Sequence, residues 1–406
     1  MIGVRRLSGR AASALVGAIV GAVLVLGVDG LTRGPDPRPG LESPRPEPQS
    51  RARGATDLAP ANTFLLAWSP TGDGGLPPET ERVVERVKGV RAATTVQAGL
   101  DWIESSRGPD GATADSPPDG FSIPFEIALV EPDEYARFVP PGDRDPVLAL
   151  GRGEILLAET SARLRDGEEG TEIEFPDRSA TVAGVVSDIA ANGYEALMTG
   201  TPPASWERID RFLLVEMNRP RSAAVERRIR GLLRPEQVLR VRAHEETPFL
   251  RYGDAVLPQM LLKRTFGEFA ARPRPDGFFD VDPAWRAAHI RSAHVPVLGE
   301  ITCHRALFPQ LRAALKDVVQ NGLSFAIDPG DFGGCFSPRF INADPEGRVS
   351  HHAWGIAVDF NVSENTPGSR PNLDRRLVDV FENWGFTWGG RWLKPDGMHF
   401  EWVSFP

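Results

Sequence analysis

The chain has 406 residues, with 46 Lys+Arg against 55 Asp+Glu and a formal net charge of −9. That length exceeds one ordinary domain and leaves room for two folded units plus connectors. An acidic chain without a basic block lacks the phosphate-neutralising surface that nucleic acid binding needs, so no nucleic acid partner is expected.

At the N-terminus, Arg5, Arg6 and Arg10 precede eighteen uncharged, mostly apolar residues, Ala11 to Val28. As a helix these span ~27 Å at 1.5 Å per residue, close to the ~30 Å hydrocarbon core of a bilayer. Positive charge ahead of the span makes residues 1–10 a cytoplasmic tip, residues 11–28 a single-pass anchor and everything after them extracytoplasmic. A cleaved leader is the competing reading, since Ala, Gly and Val dominate the span. Gly17 and Gly21 form a GxxxG spacing that permits close helix packing, although so Gly- and Ala-rich a span produces it readily. Residues 29–60 are dense in Pro, Gly and charge with almost nothing to bury, and are predicted to be a spacer.

The first folded unit is predicted over 61–250. "TFLLAWS" has strand character, and "PPETERVVERVKGV" has helical spacing with Pro78 near its start. The stretches "FEIALVEP", "EILLAETSARL", "TEIEFPDRSATVAGVVSD" and "RFLLVEM" alternate or run apolar between turn residues. A mixed α/β module is the expectation. Its pattern of strands and glycines over 154–188 resembles the extracytoplasmic core domain of MacB- and FtsX-like transporter subunits. It shows no clustered His, Cys or nucleophile, so its expected role is binding or positioning, with an envelope protein as the partner class. Residues 251–280 are predicted to connect it to the second unit.

The second unit is predicted over 281–406. Both cysteines of the chain, Cys303 and Cys335, fall in it. In an exported protein, two cysteines most simply form one disulfide. "CHRALFPQLRAALKDVVQNG" places Leu307, Leu311, Leu315 and Val318 on one helical face, with Asn321-Gly322 as its stop. "PNLDRRLVDVFENWG" repeats the form, with Leu373, Leu377, Phe381 or Val380, and Trp384 inward and Gly385 closing it. "LSFAIDP", "WGIAVDFNV" and "GMHFEWVSF" have strand character. Helices flanking a short antiparallel sheet make an α+β domain.

Six of the seven histidines lie between His289 and His399, and His244 stands alone. If "GIAVDFNV" is a strand, Ile356, Val358 and Phe360 face one side and Ala357, Asp359 and Asn361 the other. In "MHFEWV" the same alternation sets Met398, Phe400 and Trp402 against His399 and Glu401. Pairing the strands brings Asp359 and His399 together on the face away from the core. His351 and His352 stand just before the first strand, and spacing alone favours neither. Two imidazoles and one carboxylate with a fourth position open make the layout of a catalytic zinc site.

"SHHAWGIAVD" has the form S-x-H-x-x-G-x-A-x-D, and "DGMHFEW" the form D-x-x-H. Together they resemble the zinc D-alanyl-D-alanine carboxypeptidases of the VanY type, in the wider M15 peptidase group, over roughly Val297 to Trp402. The resemblance implies His352, Asp359 and His399 as Zn2+ ligands and Asp396 as general base, where much of the family carries a glutamate. It also implies Arg339 as the group that binds substrate or stabilises an oxyanion, and leaves His351 at a variable position. Ser350 is a candidate for binding a substrate carboxylate or for capping the turn it begins. Glu401 is either a support for His399 or a solvated strand residue, and Trp354, Trp388 and Trp392 either wall the cleft or fill the core. The implied function is a membrane-anchored peptidase acting on peptidoglycan stem peptides. An endopeptidase of the same group and a non-catalytic wall-binding scaffold are the alternatives. If residues 11–28 are an uncleaved anchor, the protein stays in the membrane fraction through high-salt and carbonate washes; a soluble mature form starting near residue 30 would refute it.

Overall fold

The computed structural model describes residues 63–68, 75–206, 208–219, 222–235, 237–243, 257–392 and 394–405. The predicted anchor over 11–28, the spacer over 29–60 and His244 lie outside these residues. Among the described residues no helix is long and apolar enough to cross a membrane.

Residues 63–243 build one mixed sheet of eleven strands with short helices against it. Its order from one edge begins Val238–Ala243, Thr63–Trp68, Asp210–Met217, Val90–Ile103 and Ile123–Leu129. It continues through Ala196–Met198, Glu154–Ala158, Arg178–Val186 and Glu172–Phe175 to the short strands Ser105–Arg107 and Thr113–Asp115. Pairing is antiparallel except where Ile123–Leu129 meets Ala196–Met198 and Glu154–Ala158 meets Arg178–Val186. Alternation explains the long central strand: Val96 and Ala98 are buried while Gln97 between them is not. The helix predicted over "PPETERVVERVKGV" is confined to Thr80–Glu85 and buries only Val84. Gly89, with φ +106°, turns the chain away soon after it.

The C-terminal unit packs the helices Pro283–His289, Leu307–Gln320 and Arg375–Asn383 around a hairpin and a small sheet. Leu307, Leu311, Leu315 and Val318 are buried on one face of the long helix, and Leu377 and Phe381 meet them from the other. The hairpin pairs Ile290–Val295 with Gly299–His304. The small sheet is antiparallel, with His399–Trp402 in the centre, Ala357–Asp359 on one side and Phe386–Trp388 on the other. "LSFAIDP", expected as a strand, instead forms two short 3-10 turns, Ser324–Ala326 and Pro329–Asp331. Pro329 offers no N–H to a ladder, and the Asp328 carboxylate accepts from Gly330 N at 2.8 Å, which curls the chain locally.

Cys303 and Cys335 are bonded, with their Cα atoms 5.4 Å apart and a sequence separation of 32. Closing a loop of that size is worth roughly 3–4 kcal/mol in the chain-entropy model. The bridge ties the hairpin to the loop that runs beside the edge strand of the small sheet, where Gly333 N donates to Asp359 O.

Of the segment expected to be a connector, residues 257–280 are themselves packed. Helix Gln259–Phe266 puts Met260 into the core of the sheet module and Leu262 and Phe266 into the core of the C-terminal unit. Its polar side reaches a buried charge cluster. Lys263 Nζ lies 2.7 Å from Glu195 and 2.7 Å from Glu268, while Arg165 lies 3.0 Å from Glu268 and 3.7 Å from Glu195. Gln259 Nε2 donates to Glu195 at 2.9 Å, and Lys263 Nζ also donates to Pro124 O at 2.6 Å. Removing one member of a buried ion network strands its partners, at a cost of about 3–5 kcal/mol. Lys263→Met is therefore expected to lose about that much stability in urea, in one transition spanning both units. Two separated transitions, or no loss, would contradict the shared interior.

Candidate metal centre

The register of the small sheet sets Asp359 directly opposite His399. His352 arrives from the 3-10 turn His351–Ala353, whose second amide the Ser350 Oγ caps by accepting from His352 N at 3.3 Å. Gly355 then lets the chain dive into the strand. It has φ +68°, and a Cβ there would come within 2.7 Å of the His304 backbone nitrogen. Only glycine satisfies both demands. His352, Asp359 and His399 are the one group of this kind among the described residues, with ligand-capable atoms all within 4.8 Å of one another.

Acceptor-only partners fix which nitrogen of each ring faces the centre. His352 Nδ1 lies 2.9 Å from the Cys335 carbonyl and must donate to it, which turns Nε2 inward. His399 Nε2 lies 2.9 Å from Glu401 Oε1 and donates there, so Nδ1 turns inward. Those inward nitrogens are 3.2 Å apart, and Asp359 reaches them at 3.1 Å and 2.8 Å. A proton or a metal cation must sit among these atoms, because lone pairs so close repel. Burial alone would raise Asp359, but His352 and His399 overcome it and hold the carboxyl far below the usual range. Burial likewise opposes the charged form of His399, yet Asp359 and Glu401 raise it well above an ordinary histidine. Two imidazole nitrogens, one carboxylate and hydrogen-bonded outer partners are a donor set that fits Zn2+ or a similar divalent ion.

Sequence reasoning left Glu401 and His351 undecided. Both are buried. His351 Nδ1 approaches Glu401 Oε2 at 3.0 Å, close as an ion pair though not aligned as a hydrogen bond. Despite its burial, Glu401 is held well below the usual carboxylate range by His351 and then His399. Its position two residues after His399 on the same strand was the available signal; the missing information was that this face is covered. The Cys335 carbonyl carries no signal at all in sequence.

A cleft opens over the centre, lined in part by Arg339, Ser350, Trp392, Asp396 and His399. Burial pushes the Asp396 carboxyl above its ordinary value, with His399 the main opposing influence, and its Oδ1 has no hydrogen-bond partner. Arg339 Nη2 stands 3.7 Å from Asp359 Oδ2 with a quarter of its side chain exposed, so the guanidinium faces both the centre and the cleft. Of the three tryptophans, Trp392 lies 5.4 Å from the His399 ring. Trp354 and Trp388 are core: the first packs 4.7 Å from Phe269, and the second donates to Gly397 O. His289 and His304 stand apart, stacked 5.3 Å from each other, with burial holding His304 down to about 4.

Residues 344–402 match the Peptidase_M15_4 family model, described as D-alanyl-D-alanine carboxypeptidase, which supports the M15 group for this C-terminal segment. The matched residues contain His352, Asp359, Asp396 and His399. A Caulobacter protein, the protein-export protein SecB, is 36% identical over 110 residues, covering 21% of this chain and 66% of its own. The chain thus spans just under two thirds of that relative. Solved structures with some likeness include the periplasmic region of MacB from Actinobacillus actinomycetemcomitans. It has 12% identity and TM-score 0.30 over 45% of this chain and 89% of its own. Another is a domain of a putative permease protein from Porphyromonas gingivalis, with 16% identity and TM-score 0.26 over 50% and 96%.

Titration with Zn2+ tests the centre directly. The intact chain is expected to bind one equivalent, and His352→Ala or His399→Ala to abolish tight binding. Glu401→Gln should weaken it by roughly 10–100-fold, the usual effect of losing a carboxylate behind a histidine ligand. Asp396→Asn should leave it unchanged; loss of metal in that variant would make Asp396 a ligand.

Proposed function

We propose that the C-terminal domain is a zinc metallopeptidase acting on peptidoglycan stem peptides and that it removes a terminal D-alanine. One observation carries this: His352 Nε2, His399 Nδ1 and Asp359 converge beneath a cleft that also holds a half-buried carboxylate, Asp396, whose buried Oδ1 has no hydrogen-bond partner, and a guanidinium, Arg339. Bound zinc would lower the pKa of a water molecule and polarise the scissile carbonyl. Asp396 supplies the proton traffic. Its raised pKa suits a group that takes a proton and passes it to the leaving amine. Arg339 offers a positive charge to a developing oxyanion or to the substrate carboxylate. Ser350, whose hydroxyl is engaged by the turn it caps, contributes an edge of the cleft. The disulfide supports an oxidising, extracytoplasmic setting, in keeping with the predicted anchor.

Mass spectrometry of purified muropeptides incubated with the zinc-loaded protein tests the assignment. Loss of one alanine mass is expected. Splitting of cross-linked dimers would make the enzyme an endopeptidase, and intact muropeptides beside a filled zinc site would favour a wall-binding scaffold. Asp396→Asn should slow turnover by at least ~10²–10⁴-fold, the usual contribution of general acid–base catalysis, with zinc retained. Near-normal turnover would remove Asp396 from that role.

A further inference from the structure

The sheet module touches the cleft through one hairpin. Residues 339–350 form a hairpin whose base, Phe340 and Val349, lies in the core of the C-terminal unit: Ser350 N donates to Arg339 O at 3.0 Å, Phe340 pairs with Val349, and Ile341 N donates to Arg348 O at 2.8 Å. One end carries Arg339 and the other leads through Ser350 into His352. At its tip Asn342 and Ala343 adopt φ +60° and +51°, two consecutive left-handed residues without a glycine. Such backbone is costly and persists only where the surroundings hold it. Ile341 and Asn342, at this strained tip, line the cleft.

Beside the Phe340 N–H that donates to Gly277 O at 2.9 Å, part of the holding comes from the module. Arg348 donates to Asp210 through Nε at 2.9 Å and to the Tyr194 hydroxyl through Nη2 at 3.2 Å. Arg208 Nη2 reaches Asp344 at 2.6 Å, and Trp102 meets Phe340 edge-on at 6.2 Å. Beneath the tip, Gly277 has φ +78°, and a Cβ there would fall 1.8 Å from Ala343 O, so the backbones touch. We infer that the sheet module is a working part of the peptidase site: Arg208, Asp210 and Tyr194 are positioning residues that hold the 339–350 hairpin as the substrate-side wall of the cleft. This rests on the peptidase reading for its substrate, while the anchoring itself does not.

The test uses the full chain carrying Arg208→Gln with Asp210→Asn, and a second variant with Asp210→Glu that keeps the charge. For a synthetic stem pentapeptide ending in D-Ala-D-Ala, the double variant is expected to raise KM roughly three- to tenfold, in the range typical of residues that couple to a site without touching it. Its kcat and zinc affinity should stay at the unmutated level, and Asp210→Glu should restore most of the KM. Hydrogen exchange at the Ile341 and Ser350 amides should quicken in the double variant, with the His399–Trp402 strand unaffected. Faster exchange with an unchanged KM would overturn the inference, because the hairpin would then be anchored without shaping the cleft. Unchanged exchange would overturn it equally, since the module would not be holding the hairpin. Exchange is also read without zinc or peptide, so a chain that cleaves no stem peptide refutes the hydrolase reading while exchange still decides the anchoring.

Discussion

Two imidazole nitrogens held 3.2 Å apart, each facing its own oxygen of the Asp359 carboxylate at 3.1 and 2.8 Å, are the constraint on which the C-terminal domain is organised. Asp359, His352 and His399 cannot approach so closely as three lone pairs, so the site demands a positive charge between them. The surrounding chain is arranged to keep that demand in place. A carbonyl behind His352 and a carboxylate behind His399 fix both rings, and neither ring can turn without losing a buried hydrogen bond. The carbonyl belongs to Cys335, so the disulfide and one ligand ring are separated by a single backbone group.

Electrostatics then divide the carboxyl groups of the site by environment. Asp359 and Glu401 face imidazoles and stay ionised despite burial, whereas for the half-buried Asp396 desolvation outweighs the pull of His399 and raises its pKa. Carboxyl groups of the same chemistry thus differ in their preferred charge because of what each one faces.

Much of this was legible in the chain, and the limits have physical causes. Period-two alternation in "GIAVDFNV" and "MHFEWV" was enough to put Asp359 and His399 on one face, and the helical spacing of Leu307, Leu311, Leu315 and Val318 identified a buried helix. Alternation says which residues share a face but not what covers it, so Glu401 and His351 could not be separated from solvated neighbours. Trp354 and Trp388 were ambiguous for the same reason. "LSFAIDP" has strand composition, but strand pairing needs a partner edge, and local bonding from Asp328 intervened. The segment over 251–280 was expected to be a link because two half-hydrophobic faces, each serving a different core, average to an unremarkable composition.

That helix has a consequence for how such a chain could have been assembled. Gln259–Phe266 gives Met260 to one interior, Leu262 and Phe266 to another, and Lys263 to charges contributed by both sides of the boundary. Recombination between genes usually joins folding units at linkers, where either partner can be exchanged without loss. Here a crossover anywhere near the boundary would divide a hydrogen-bonded cluster and leave Glu195 buried without its ammonium. Exchanging either unit alone would therefore open both interiors at once.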